Sequence, residues 1–171
     1  MLQIRLLGQF DLRLDKKRVT IPSRVGQSLF AYLALTAGTS HRREKLAGIF
    51  WPDIQEETAR KHLRQELWRI RKTLSAQQDG AGDYLLADEF TIAFNRGSDH
   101  WLDVAHLERQ NTDLDSLTAS LSVYQGELLP GFYEDWILLE RERIQSIFNT
   151  KMGQLLDRLV ASERWAAVQE Q

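Results

Sequence analysis

The first twenty residues alternate apolar and polar positions with a period of two, in runs spanning 2–7, 10–14 and 18–21 that are broken at Gly8-Gln9 and at the polar turn Asp15-Lys16-Lys17. Alternation of this kind puts one face of each run on a core and predicts a small antiparallel sheet. From Ser23 the period changes. Ser23 can cap a helix whose apolar positions Val25, Leu29, Tyr32 and Leu33 recur at helical spacing until Gly38 supplies a stop. A short second helix is predicted from Ser40 to Trp51, with Glu44 near a capping-box position, Leu46, Ile49, Phe50 and Trp51 on its apolar side, and Pro52 at its end. Glu56, Glu57 and Thr58 favour a helix start, and the third helix then runs without Gly or Pro through Leu74.

Residues 75–83 (SAQQDGAGD) are polar and contain glycine, as a connection should. Beyond them, apolar runs at 84–87 and 90–94 flank the acidic tip Asp88-Glu89, which predicts a β-hairpin. Sheet, three helices and hairpin in this order describe a winged helix-turn-helix behind a small amino-terminal sheet. The polar stretch Asn95 to His100 is the best boundary, so residues 1–97 are expected to form the first domain and 98–171 the second, with Trp101 and Leu102 already packing against the second. The second domain is predicted to be all-α. Its helices fall near Asp103–Gln110, Leu114–Tyr124 and Glu134–Ala161, with a break at Leu129-Pro130-Gly131 and a further helix starting at Glu163. The fold class expected is therefore α+β for the winged helix-turn-helix domain and all-α for the carboxy-terminal domain.

Charge sharpens this division. The net charge of −2 conceals +8 in residues 1–75 and −10 in residues 76–171. Phosphate contacts dominate nucleic-acid affinity, so a basic first half and an acidic second half suggest that only the first faces a polyanion. With no cysteine there are no disulfides and no thiolate sites, and the four histidines (His41, His62, His100, His106) never approach a metal-ligand spacing. No run approaches the roughly 18 apolar residues of a membrane span, and the opening segment lacks the uninterrupted apolar core of a signal peptide, so the cytoplasm is the expected compartment. Nothing in these residues calls for a cofactor or a metal.

The third helix carries the chemistry. At about 100° per residue, Ala59, Leu63, Leu67, Ile70 and Leu74 fall within a stripe roughly 80° wide, which is the core face. Arg60, Arg71, Arg64, Trp68, Lys61, Lys72, Gln65 and Arg69 come next round an arc of about 180° that contains no acid, and Glu66 lies beyond that arc. An ordinary solvated helix mixes signs, because like charges at helical spacing repel. This face makes sense against phosphates, and in a major groove where Arg and Lys pair with guanine and Gln with adenine. Lys61, Arg64, Gln65 and Arg69 are the candidates for base readout, and Arg60, His62, Trp68, Arg71 and Lys72 for the phosphate backbone. Arg42 and Arg43, at the start of the second helix, would also lie near the backbone. His62 fits a plain surface position as well, Trp68 the edge of the core, Arg42 and Arg43 ordinary solubility, and Trp51 the closure of the core. The acidic hairpin tip would be repelled by DNA.

These segments resemble a known family. Thr58–Leu74 (TARKHLRQELWRIRKTL) is similar to the recognition helix of OmpR-type winged-helix proteins, in the version carried by bacterial transcriptional activators of the SARP type. Residues 43–53 (REKLAGIFWPD) resemble that family's second helix and the turn after it, and residues 6–14 (LLGQFDLRL) its first strands. Residues 103–110 and 120–145 (SLSVYQGELLPGFYEDWILLERERIQ) resemble the bacterial transcriptional activator domain that comes second in those proteins. The resemblance implies a four-stranded amino-terminal sheet, a winged helix binding direct repeats in double-stranded DNA, a tetratricopeptide-like helical domain and activation of transcription. It also implies contact with RNA polymerase through the loop after the second helix, here Trp51, Pro52, Asp53, Ile54 and Gln55. The family's helical domain continues through further helices where these residues stop, so they are expected to be the amino-terminal part of a longer regulator. An apolar face left without its neighbour there would favour a homodimer through the last helices, or fraying.

Other readings are weaker. Glu134/Asp135 and Glu140/Glu142 sit on a charged run interleaved with Arg141 and Arg143, and there is no Gly-rich phosphate loop, GxSxG or HExxH, so an enzyme is not expected. A helical protein-interaction module without specific DNA readout is the alternative, with Trp136, Leu138, Leu139, Ile144, Ile147 and Phe148 packing into repeats. RNA is disfavoured because the A-form major groove does not admit a helix.

Overall fold

The computed structural model describes residues 1–75 and 84–169, with side chains as far as residue 161. Most of the polar connection expected at 75–83 therefore lies outside the described residues. The chain divides into two compact units, one formed by Met1–Ile4 and Asp11–Trp101, the other by Arg5–Phe10 and Leu102–Gln171. In chain order the elements are strands β1 (Leu2–Arg5), β2 (Asp11–Leu14) and β3 (Lys17–Val19), helix α1 (Arg24–Leu35), strand β4 (His41–Arg42), helices α2 (Arg43–Phe50) and α3 (Glu56–Ser75), and strands β5 (Leu85–Ala87), β6 (Thr91–Phe94) and β7 (His100–Leu102). Helices α4 (Asp103–Glu108), α5 (Leu114–Ser122) and α6 (Asp135–Gln169) complete the chain. The mixed α+β architecture is a winged helix with a small sheet, joined to a helical unit.

In the first unit, β2 and β3 pair with Leu12 opposite Val19 and Leu14 opposite Lys17. Their turn is made by Asp15 (φ 48°) and Lys16 (φ 70°), the left-handed pair that matches the twist of a two-residue hairpin. The sheet order is β3-β2-β1-β7. Its fourth strand thus comes from His100–Leu102, beyond the polar stretch read as a boundary. The second sheet, β4-β6-β5, pairs Leu85 with Phe94 and His41 with Ile92. This is the hairpin expected from the apolar runs, extended by a two-residue strand that the sequence did not reveal.

That strand corrects the predicted second helix. Residues His41 and Arg42 are extended and hydrogen-bonded across to β6, so α2 starts at Arg43 with Arg42 at its N-cap and no side-chain cap bond. Pairing across the sheet outweighs the local capping preference of Ser40. Ser23, by contrast, does cap α1: its Oγ accepts the Gly26 N–H at 2.9 Å. Leu2, Ile4, Leu12, Leu14, Ile21, Leu29, Phe30, Leu33, Leu46, Leu63, Ile70, Ile92 and Phe94 form the core of this unit.

In the second unit, Asp103 is buried and accepts backbone N–H groups from Leu6 (2.7 Å), Leu7 (2.9 Å) and Val104 (2.8 Å). Leu7 bridges Leu128, and the Leu129 N–H donates to the Leu6 carbonyl at 2.8 Å. The turn around Leu129 (φ 46°), Pro130 and Gly131 (φ 82°) is clamped by Arg141, whose guanidinium donates to the carbonyls of Leu128, Leu129 and Phe132. Leu107, Leu117, Leu121, Phe132, Ile137 and Ile144 fill the core. Helices α4 and α5 end two residues earlier than their pattern suggested. The break expected before Glu163 is absent, because no Gly or Pro interrupts the chain between Gly153 and Gln169 and α6 runs through.

Candidate nucleic-acid interface

Helix α3 owes its start to Glu56 and Glu57 in its first turn and its position to Ala59, Leu63, Leu67, Ile70 and Leu74, all buried. The stripe drawn from spacing is the stripe that packs, and α2 and α1 are the helices it packs on. With that face fixed, Lys61, Arg64, Gln65, Trp68, Arg71 and Lys72 are exposed along the opposite side. Among the described residues, no hydrogen bond or ion pair engages Lys61, Arg64 or Gln65.

The remaining candidates have intramolecular partners. Arg60 bridges Glu56 (2.6 Å) and Glu44 (3.0 Å), so its charge is partly neutralised where α2 meets α3. Arg71 donates to the Leu85 carbonyl at 3.2 Å, tying α3 to the hairpin. Arg43 donates twice to the Asp88 carbonyl, at 2.7 and 3.0 Å, and so braces the hairpin tip, while Arg42 is exposed. His62 is half-buried with its ring 6.0 Å from that of Trp51, which in turn lies 6.1 Å from Phe50. Trp51 therefore sits at the aromatic edge of the core, with Pro52, Asp53, Ile54 and Gln55 exposed after it. Trp68 is 59% exposed with the Lys72 ammonium 4.8 Å above its ring, so it does not cover the core edge.

Arg69 differs from the other members of the arc. Its Nη1 donates to Glu66 Oε1 at 2.6 Å, and Glu66 is buried, with its Oε2 accepting the Ser23 hydroxyl. Sequence reasoning placed Glu66 outside the arc without assigning it a partner. The available signals were its spacing of three residues from Arg69 and its place on the wheel beside the core stripe.

At the hairpin tip, the Asp88 carboxylate accepts the N–H groups of Phe90 (2.7 Å) and Thr91 (2.6 Å) and the Thr91 hydroxyl (2.9 Å). The Thr91 and Phe90 N–H groups hold it below the usual carboxylate range. Asp88 is thus committed to the turn. Arg96, exposed, and Arg71 border an open groove of about 680 Å³ on the hairpin sheet, and they supply the positive charge that the tip lacks. No group of histidines and carboxylates among the described residues could hold a metal ion, and no described helix is long and apolar enough to cross a membrane.

The described chain thus combines a winged helix, whose third helix exposes a basic side with no acid between Ala59 and Leu74, with a helical unit. A solved structure of Mycobacterium tuberculosis EmbR, in complex with a low affinity phosphopeptide, matches this chain with a TM-score of 0.82 over 98% of its length at 16% identity. The chain spans 48% of the EmbR chain, and at this identity the likeness is one of fold. No family model matches the sequence, and no curated protein matches it by sequence.

Proposed function

We propose that this protein is a sequence-specific double-stranded DNA-binding transcriptional regulator, acting as an activator, that reads the major groove with α3. One observation carries the reading: between Ala59 and Leu74 the exposed side of α3 holds Lys61, Arg64, Gln65, Trp68, Arg71 and Lys72 with no exposed acid, and the single acid of that stretch is buried. Such a surface repels itself in water and is stabilised by phosphates, which release counterions as each charge is neutralised. Lys61, Arg64 and Gln65 have the free donors and acceptors that base edges require. Arg42, Arg60, His62, Trp68, Arg71 and Lys72 are suited to the backbone on either side, with Arg43 bracing the hairpin near it.

Binding of direct repeats, contact of residues 51–55 with RNA polymerase, and association of two copies through α6 are parts of the same proposal. They are supported by the family resemblance and by the exposure of residues 52–55, and of Leu139 and Leu156 on α6. Selection of bound sequences from random duplex DNA tests the core of it. A repeated motif is expected, with affinity falling steeply as salt rises and with the preferred base shifting in Gln65→Ala. Absence of duplex binding at low salt, or binding unaffected by Arg64→Ala, would sink the reading in favour of a protein-interaction module.

A further inference from the structure

Building on the assignment of α3 as a DNA-recognition helix, we infer that Glu66 and Arg69 form a positioning pair: Arg69 contacts neither base nor phosphate, and its half-exposed guanidinium is held on the buried Glu66 carboxylate to fix the orientation of α3 against the start of α1. Glu66 is the only acid between Ala59 and Leu74, and it is 7% exposed. A carboxylate so placed must be paired, and both its oxygens are: Oε1 by Arg69 Nη1 at 2.6 Å, Oε2 by the Ser23 hydroxyl.

Ser23 in turn holds the first turn of α1 by accepting the Gly26 N–H at 2.9 Å. The absence of a side chain at Gly26 makes this junction possible, since a Cβ there would stand 2.6 Å from Glu66 Oε2 and 2.7 Å from Ser23 Oγ. Arg69, Ser23 and Gly26 therefore converge on the one buried carboxylate of Glu66. Moving Arg69 to a DNA group would strip that carboxylate of its charged partner and leave a buried charge uncompensated, which is destabilising. Lys61 and Arg64, with no such tie among the described residues, are free to turn toward DNA. The pair thus removes one cation from the arc, which lowers indiscriminate attraction to phosphate, and holds Gln65 and Arg64 in register with the bases, which raises discrimination.

The test measures binding of the whole chain, wild type and Arg69→Ala, Glu66→Gln and Ser23→Ala, to a selected site and to mixed duplex between about 50 and 200 mM salt, where each phosphate contact adds about 0.9 to the slope of log affinity against log salt. Arg69→Ala is expected to leave that slope unchanged while the ratio of specific to non-specific affinity falls roughly tenfold. Glu66→Gln is expected to free Arg69, steepening the slope by about 0.9, which is a roughly 3.5-fold deeper loss over a fourfold rise in salt, and lowering the ratio. Ser23→Ala, which leaves the exposed side of α3 intact, should lower the ratio with the slope unchanged, and circular dichroism shows whether each variant is folded. An Arg69→Ala slope shallower by about one contact, or a Glu66→Gln protein with both slope and ratio of the wild type, overturns the positioning pair alone. A wild-type chain that binds no duplex overturns the DNA reading and the pair with it.

Discussion

Gly26 shows how much can depend on a missing methyl group. It lies in α1, where replacing Gly by Ala ordinarily stabilises a helix by about 1 kcal/mol. Here the added Cβ would enter the space held by Glu66 Oε2 and Ser23 Oγ, with Ile21 Cγ2 at 3.1 Å behind them. Overpacking of this kind costs about 1–3 kcal/mol, so Gly26→Ala is expected to lower stability in chemical denaturation despite the gain in propensity. At the proposed DNA surface, Arg64→Ala is expected to weaken specific binding by about 1–3 kcal/mol, the worth of a contact to a base edge, measured by titration at fixed salt.

His41 is buried, shares a 2.7 Å hydrogen bond with Thr36 Oγ1, and has its imidazole pushed below its ordinary value by burial and then by Lys45. His106 moves the same way, again first through burial. Because the unfolded chain takes up these protons first, the stability they contribute is complete above about pH 6.5 and is lost as pH falls through the folded values. Thermal melts should therefore drop below that pH, and His41→Gln should flatten the fall to the part due to His106.

Among the elements, the turn before α6 depends on a helix residue for its shape. Leu129 holds a left-handed backbone, a costly conformation for leucine, and the carbonyls around it point to the Arg141 guanidinium, whose side chain is only 14% exposed. Arg141→Met keeps the apolar stem and removes the donors, and is expected to cost about 2 kcal/mol or more in urea denaturation. Helix α3 behaves differently, since its core stripe was visible in its spacing and all five apolar residues of that stripe are buried, with Glu66 added at its edge. The short strand β4 was invisible, because two residues carry no period and are extended only through pairing with β6.

For the molecule as a whole, the division into units does not fall at a single cut in the chain. Residues 5–10 belong with the second unit, and the first sheet takes its last strand from residues 100–102. A piece ending at residue 97 would lack β7, one of the two neighbours of β1, and would leave Leu6 and Leu7 without the Asp103 carboxylate that accepts their N–H groups. It is expected to melt well below the intact chain by circular dichroism, and an equal melting temperature would show that these ties add nothing.

The sequence by itself determined the elements that have a period: the alternating strands, the α3 stripe, and the acid-free arc from Arg60 to Lys72 on which the proposal of DNA binding rests. It also carried the Ser23 cap, because capping is local chemistry between neighbours in the chain. The tertiary structure decided everything that rests on distant pairing: β4 and β7, the clamp of Arg141 on its turn, the brace of Arg43 on the hairpin tip, and the attachment of Arg69 to Glu66. The physical reason is the same each time. A helix wheel tells which side a residue occupies, but whether its charge is free or already paired depends on which other segment folds against it.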